Sequence, residues 1–213
     1  MSASQKPSIY LFGDNHRHPR EDVKQRLYSV TPESAEALVM EHAEKTGGEE
    51  PSQWALLKNP SLLLTKLLLG WWQKRQRSAS NRVTEGSQTS VAEEVAEELE
   101  LEVEYTDLSW LQRFDQQPLY LTTASWAAVL LLLFGWILNP GLSFLSILFV
   151  PTMALWTHKV YMGMRDKKMA DDLREYGSQH SEIVFFAGDD HIDSVGSLLD
   201  GDFEIIEKKK SRP

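Results

Sequence analysis

No cysteine occurs among the 213 residues, so disulfides and thiolate metal sites are excluded, and any metal must be held by His, Asp or Glu. Basic charge is in deficit as well. With 22 Lys and Arg against 31 Asp and Glu, the net charge is −9, which argues against a protein that tracks nucleic-acid phosphates; no nucleic-acid partner is expected. The polar residues Met1 to Lys6 lead directly into an apolar run, without the charged and then long apolar segments of a cleaved signal peptide. Charge of either sign is absent from Gln116 to Thr157. The mean hydropathy of −0.35 therefore averages two unlike compositions, one heavily charged and one almost wholly apolar.

The uncharged block has its own punctuation. Leu119 to Leu138 is an apolar run of 20 residues, the length that crosses roughly 30 Å of hydrocarbon. Asn139-Pro140-Gly141 is a turn signal, and a second apolar stretch, interrupted at Pro151, continues towards Lys159. This pattern predicts a transmembrane helical hairpin from about Leu119 to Val160, occupying residues 116–160 between flanks 1–115 and 161–213. The competing reading, a buried helical pair in a soluble protein, asks a small domain to cover about 40 apolar residues on all sides. Arg113 before the hairpin, with Lys159, Arg165, Lys167 and Lys168 after it, places both termini in the cytoplasm under the positive-inside rule. An integral membrane protein of the cell membrane, with the lipid bilayer as partner, is the resulting expectation. A third patch, Leu62 to Trp72 followed by Lys74, Arg75 and Arg77, is too short to span and reads as a helix packed on the domain or lying on the membrane surface.

Outside the block, short apolar runs alternate with helical periodicities. Ser8 to Phe12 reads as a strand closed by Gly13; Val23, Leu27 and Val30 recur at helical spacing; Ala37 to Met40 is a second strand ending on Glu41. Ser90 and Glu93 form a capping-box pattern for a helix over Val91 to Leu99. Leu101, Val103 and Tyr105 alternate with glutamates in a strand ending at Asp107, and Ile183 to Ala187 runs into Gly188-Asp189-Asp190-His191. Strands alternating with helices predict an α/β fold with a largely parallel sheet and flanking helices, interrupted by the hairpin. Ligands bind such sheets at the carboxyl ends of their strands, and those ends carry His16, Glu41, Asp107 and His191.

Gly13-Asp14-Asn15-His16 and Gly188-Asp189-Asp190-His191 share one local context: an apolar strand, a glycine that permits a sharp turn, two polar residues and a histidine. Two imidazoles and a carboxylate are a donor set that holds a divalent metal and leaves positions open for water. His18 and His42 adjoin these residues and read as bystanders. Arg165, by spacing alone, reads as a juxtamembrane anchor.

On the paired Gly-x-x-His motifs, the proline and strand before Glu41-His42, the segment Glu85 to Leu99 before the strand ending at Asp107, the Arg165-Asp166-x-x-Met169-Ala170 segment and the final Phe185 to Leu199, the chain resembles the TraB/Tiki (GumN-like) family, related to erythromycin-esterase-like and ChaN-like proteins. The resemblance implies a TraB/Tiki/ChaN-like fold with His16, His191, Glu41 and Arg165 lining the active site. It also implies a metal-dependent hydrolase of peptidase type, with His16, His191 and Glu41 on the metal, Glu41 as ligand or general base, and Arg165 facing an anionic intermediate or a carboxylate. Asp107 or Asp190 could exchange roles with Glu41 and Arg165. Gln88 stands where relatives carry glutamate, and Leu108 follows Asp107 where an arginine is usual, which leaves a second expectation open: a membrane binding or regulatory protein that sequesters a peptide or metal without turnover.

Overall fold

The computed structural model describes residues 6–15, 19–43, 45–46, 51–67 and 86–211. The chain divides into two compact units. The first comprises residues 1–47, 82–108 and 165–213, and the second residues 48–81 and 109–164.

Five strands build the first unit: β1 (Ser8–Asp14), β2 (Ala37–Glu41), β3 (Glu102–Thr106), β4 (Glu182–Gly188) and β5 (Glu204–Lys209). They form one parallel sheet in the order β3-β2-β4-β1-β5. Period-2 alternation sends each strand's apolar side chains to both faces. Tyr10, Phe12, Leu38, Met40, Val184 and Phe186 pack on one side, under α1 (Arg20–Val30) and α3 (Gly86–Glu98). Ile9, Leu11, Val39, Ile183 and Phe185 pack on the other, under the C-terminal turns of α6 (Pro140–Gly177) and under α7 (Asp189–Leu198). The near-continuous apolar runs in the sequence have this cause: both faces of a parallel sheet are covered.

Val23, Leu27 and Val30 are the buried stripe of α1, as their spacing predicted. The helix expected from Val91 begins instead at Gly86, so Ser90 lies inside it, where its Oγ accepts from Arg20 (3.4 Å). β5 was not expected. Its Glu-Ile-Ile-Glu-Lys-Lys sequence leaves mostly exposed side chains, which is what an edge strand needs and what an apolar-run criterion overlooks.

Gly13 is required by a close approach. A Cβ there would lie 2.6 Å from Asp189 Oδ1, 2.7 Å from Ile192 Cγ1 and 3.1 Å from Asp189 Cα, so the first turn of α7 sits directly against the β1 backbone. We expect Gly13→Ala to cost about 1–3 kcal/mol, the usual range for overpacking, as read by urea denaturation. An unchanged midpoint would show that α7 recedes without penalty.

The second unit is helical: a 3-10 helix (Gln53–Lys58), α2 (helical from 60 to the edge of the described residues at 67), α4 (Trp110–Asp115), α5 (Leu119–Leu138) and the N-terminal part of α6. Ser109 and Gln112 cap α4 reciprocally. The patch expected over Leu62 to Trp72 is described only as far as Leu67: Leu62 is buried with Ala55, Phe114, Ala154 and Tyr161, and Leu67 is exposed. The basic residues that follow lie outside the described residues.

α5 coincides with the first apolar run, whereas α6 opens at Pro140 inside the expected turn and runs on to Gly177, past the expected end near Val160; the transmembrane assignment is corrected: among the described residues, no helix is long and apolar enough to cross a membrane. Packing supplies a reason. The first turns of α5 belong to a buried polar network centred on Asn59. Its Nδ2 donates to Gln117 Oε1 (3.0 Å) and Thr157 Oγ1 (3.2 Å), and its Oδ1 accepts from Ser125 Oγ (2.9 Å), Ser61 Oγ (3.1 Å) and the Leu62 amide (3.1 Å). Gln117 Nε2 donates to Thr122 Oγ1 (2.6 Å), and Trp126 Nε1 donates to the Leu57 carbonyl (3.0 Å). The apolar part of α5 beyond these contacts, Ala127 to Leu138, is about 18 Å long at a rise of about 1.5 Å per residue, well short of roughly 30 Å of hydrocarbon. Membrane crossing, an integral membrane location and the cytoplasmic placement of both termini derived from it fall together.

Candidate functional site

The carboxyl ends of β2, β3 and β4 bring together side chains that are distant in sequence. Glu41 is the last residue of β2, Asp107 follows β3, and Gly188 ends β4. Arg165 and Asp166 are consecutive on α6, and His191 lies in the first turn of α7.

Arg165 organises the centre. Its Nε donates to Asp107 Oδ1 and its Nη2 to Asp107 Oδ2, both at 2.7 Å, and Nη2 also bonds Glu41 Oε1. This fork is the geometry that favours a guanidinium over an ammonium. Glu41 Oε2 accepts from the Gly188 amide at 2.7 Å, so both of its oxygens are engaged. Burial by itself would lower the Arg165 pKa; the hydrogen bond to Asp107 and the charges of Glu41 and Asp107 outweigh it and raise the pKa. Behind the fork, Thr106 Oγ1 donates to Asp172 Oδ2 at 2.6 Å, and Lys168 pairs with the other oxygen of Asp172. The Thr106–Asp172 bond fastens α6 to the end of β3, and the Lys168–Asp172 pair lies within α6.

His191 is buried and bound at one nitrogen. Its Nδ1 lies 2.5 Å from Asp166 Oδ1, while its Nε2 faces Glu41 Oε1 at 3.7 Å. That second gap is too long for a hydrogen bond and short enough for both atoms to bond one bridging water. Asp166 thus fixes the ring, with Nε2 turned towards the Glu41 carboxylate.

The structure thus joins Glu41, Arg165 and His191 with Asp107. It does not bring in Asp190, which is exposed, and it ties Asp189 to the Ser211 amide (2.8 Å) and hydroxyl. His16 and His18 lie outside the described residues, as does the side chain of Gln88. The two Gly-x-x-His motifs do end adjacent strands, but out of step: Gly13 pairs with Ala187 and Asp14 with Gly188. The second motif opens helix α7 and is not a loop. His42 stands edge-on to Tyr105 and does not join the cluster through any contact described.

Two members were not singled out from the sequence. Asp166 was seen only as the neighbour of Arg165, and the Gly188 amide carries no side-chain signal at all. A cue for Asp166 existed: adjacent residues on a helix diverge by about 100°, so Arg165 and Asp166 can serve two different partners on one sheet edge.

The expected metal set of His16, His191 and Glu41 lies partly outside the described residues, since His16 is not among them. Among the described residues, no group of three or more His, Asp or Glu side chains could hold a metal ion. Only His191 Nε2 and Glu41 face one another, and Glu41 is already neutralised by a guanidinium and bonded at both oxygens. Without His16, these two described donors by themselves do not make up a divalent-ion site.

No family model matches the chain, and no curated protein or solved structure matches it.

Proposed function

We propose that the first unit is a hydrolase for an ester or amide, peptide bonds included, with His191 as the general base. The observation that carries this reading is the Asp166–His191–Glu41 line: an imidazole held at Nδ1 by a buried carboxylate, with Nε2 directed at a carboxylate 3.7 Å away. A water hydrogen-bonded between Nε2 and Glu41 Oε1 would lose a proton to Nε2 as its oxygen attacks the carbonyl carbon. The same proton, now on Nε2, would then pass to the leaving alcohol or amine, so the imidazole is regenerated. Asp166 stabilises the transient imidazolium and keeps the ring in one tautomer, the role a buried carboxylate plays beside a catalytic histidine in general. Arg165 holds the Glu41 carboxylate in place and balances its charge and that of Asp107; its bonds to both assign it a positioning role. The TraB/Tiki resemblance names Glu41, Arg165 and His191 on independent grounds.

The test is turnover of a panel of activated esters and fluorogenic peptides by the full chain, compared with His191→Gln. We expect the variant to lose about 10²–10⁴-fold in rate, the usual contribution of a positioned base, with far-ultraviolet circular dichroism unchanged. Saturable binding of a panel member without turnover would replace this reading by the sequestering one. Turnover that survives His191→Gln would remove His191 from the chemistry.

A further inference from the structure

Both residues that follow β5 reach back to α7. Lys210 Nζ pairs with Asp193 Oδ2, while Ser211 donates its amide to Asp189 Oδ1 (2.8 Å) and its hydroxyl to Asp189 Oδ2. Asp189 and Asp193 stand at i and i+4, so both contacts lie on one face of the helix. They are unequal. The Lys210 and Asp193 side chains are 33% and 73% exposed, and ion pairs open to water contribute little. The Asp189 contact is partly buried, two-pronged and charge-assisted. Asp189 is confined from its other side by the Gly13 backbone, where a Cβ would lie 2.6 Å from its Oδ1. The glycine of the first Gly-x-x-His motif is therefore the seat for the first aspartate of the second.

His191 lies two residues further on, in the same turn of α7. Its neighbours are held towards β2 and α6: Glu41 Oε2 accepts from the Gly188 amide (2.7 Å), and Asp166 bonds His191 Nδ1 (2.5 Å). Asp189 is tied the opposite way, across β1 to the segment beyond β5. α7 starts on Gly188 without a side-chain cap, so its first turn depends on these lateral bonds. We propose that Asp189 and Ser211 are a positioning pair for His191: Ser211, acting through Asp189, holds the first turn of α7 against the bonds to Glu41 and Asp166 and so sets the 3.7 Å gap between Nε2 and Glu41 Oε1. The catalytic consequence rests on His191 being the general base; the holding of the ring does not.

Ser211→Ala removes the hydroxyl donor, Asp189→Ala removes both bonds, and Ser211→Thr keeps the hydroxyl. The first readout needs no turnover: it is the downfield proton resonance of the hydrogen bond between His191 Nδ1 and Asp166 in the full chain, identified by its loss in His191→Gln. Its exchange with water is expected to quicken at least about tenfold in Ser211→Ala and in Asp189→Ala, as loss of one hydrogen bond to a charged group implies. The backbone amides of β4 should exchange as in wild type, since a general loss of stability would quicken both. Ser211→Thr should restore the imidazole proton, and Lys210→Met should leave it unchanged. The second readout is turnover of the ester and peptide panel, where Ser211→Ala should lower kcat by about 10–100-fold, the cost of a misplacement of up to about 1 Å, with KM within about threefold. Adding Ser211→Ala to Asp189→Ala should change kcat by less than about twofold, because Ser211 acts only through Asp189. Wild-type exchange in Ser211→Ala, no rescue by threonine, or an equal effect of Lys210→Met would each overturn the proposal, and these hold even if Asp189→Ala fails to fold. The two readings fail separately. Turnover that survives His191→Gln removes the base and leaves the exchange rates to decide whether the pair holds the ring; turnover that needs His191 but is unchanged in Ser211→Ala removes the positioning pair alone.

Discussion

Arg165→Met is expected to destabilise the first unit by about 3–5 kcal/mol, because removing one partner of a buried ion pair leaves the other partner charged and uncompensated. Here two partners are left. The Arg165 side chain is 13% exposed, that of Glu41 16% and that of Asp107 4%, so water reaches the orphaned carboxylates poorly. Methionine keeps most of the side-chain volume, which separates the charge effect from a cavity effect. The measurement is urea unfolding of wild type, Arg165→Met, Asp107→Asn and the double variant. The double variant should recover part of the loss, since residues in one ion-pair network do not act additively. A loss below about 1 kcal/mol would place the cluster among solvated surface pairs and would remove the reason for assigning Arg165 a positioning role.

Asp166→Asn is expected to lower kcat by about 10⁴-fold, the loss seen when the carboxylate behind a catalytic histidine is neutralised, while KM changes by less than about threefold. The substitution is nearly isosteric, and an asparagine oxygen can still accept from Nδ1. An asparagine amide can also donate to Nδ1, which favours the tautomer whose proton sits on Nε2 and so disables the base. The substitution removes the negative charge that stabilises the imidazolium as well. Its stability cost should be small, about 1 kcal/mol, as for one buried hydrogen bond. A kcat that falls only in proportion to the folded fraction would make Asp166 a structural residue. The split between kcat and KM is the readout that folding does not imitate.

Much of the first unit was legible because its signals are local. Alternation and apolar runs located β1 through β4 to within a residue or two, and the Val23, Leu27 and Val30 spacing located α1. Glu41 and His191 were legible as strand-end residues. Arg165 was not: its spacing suggested an anchor beside a membrane, whereas α6 continues through it without a break and delivers it to Asp107 and Glu41. The membrane assignment failed for a related reason. Hydropathy counted Leu119 to Trp126 as apolar length, but Thr122, Ser125 and Trp126 are tied by hydrogen bonds to Gln117, Asn59 and Leu57, and a window average does not see what a side chain bonds.

The sequence by itself determined that no thiol chemistry occurs here, that the surface is acidic, that apolar strands alternate with helices in a largely parallel sheet, and that an uncharged helical pair interrupts it. These properties follow from composition and from periods of 2 and 3.6 residues, which short segments express alone. Only the tertiary structure decided that Asp166 is the partner of His191, that the Gly188 amide holds Glu41, and that the two Gly-x-x-His motifs stand one residue out of register. Each of these depends on the strand order β3-β2-β4-β1-β5 and on how closely α7 approaches Gly13. Such contacts join residues far apart in the chain, as Gly13 and Ala187 are across β1 and β4, and no local pattern encodes which distant side chain will stand opposite.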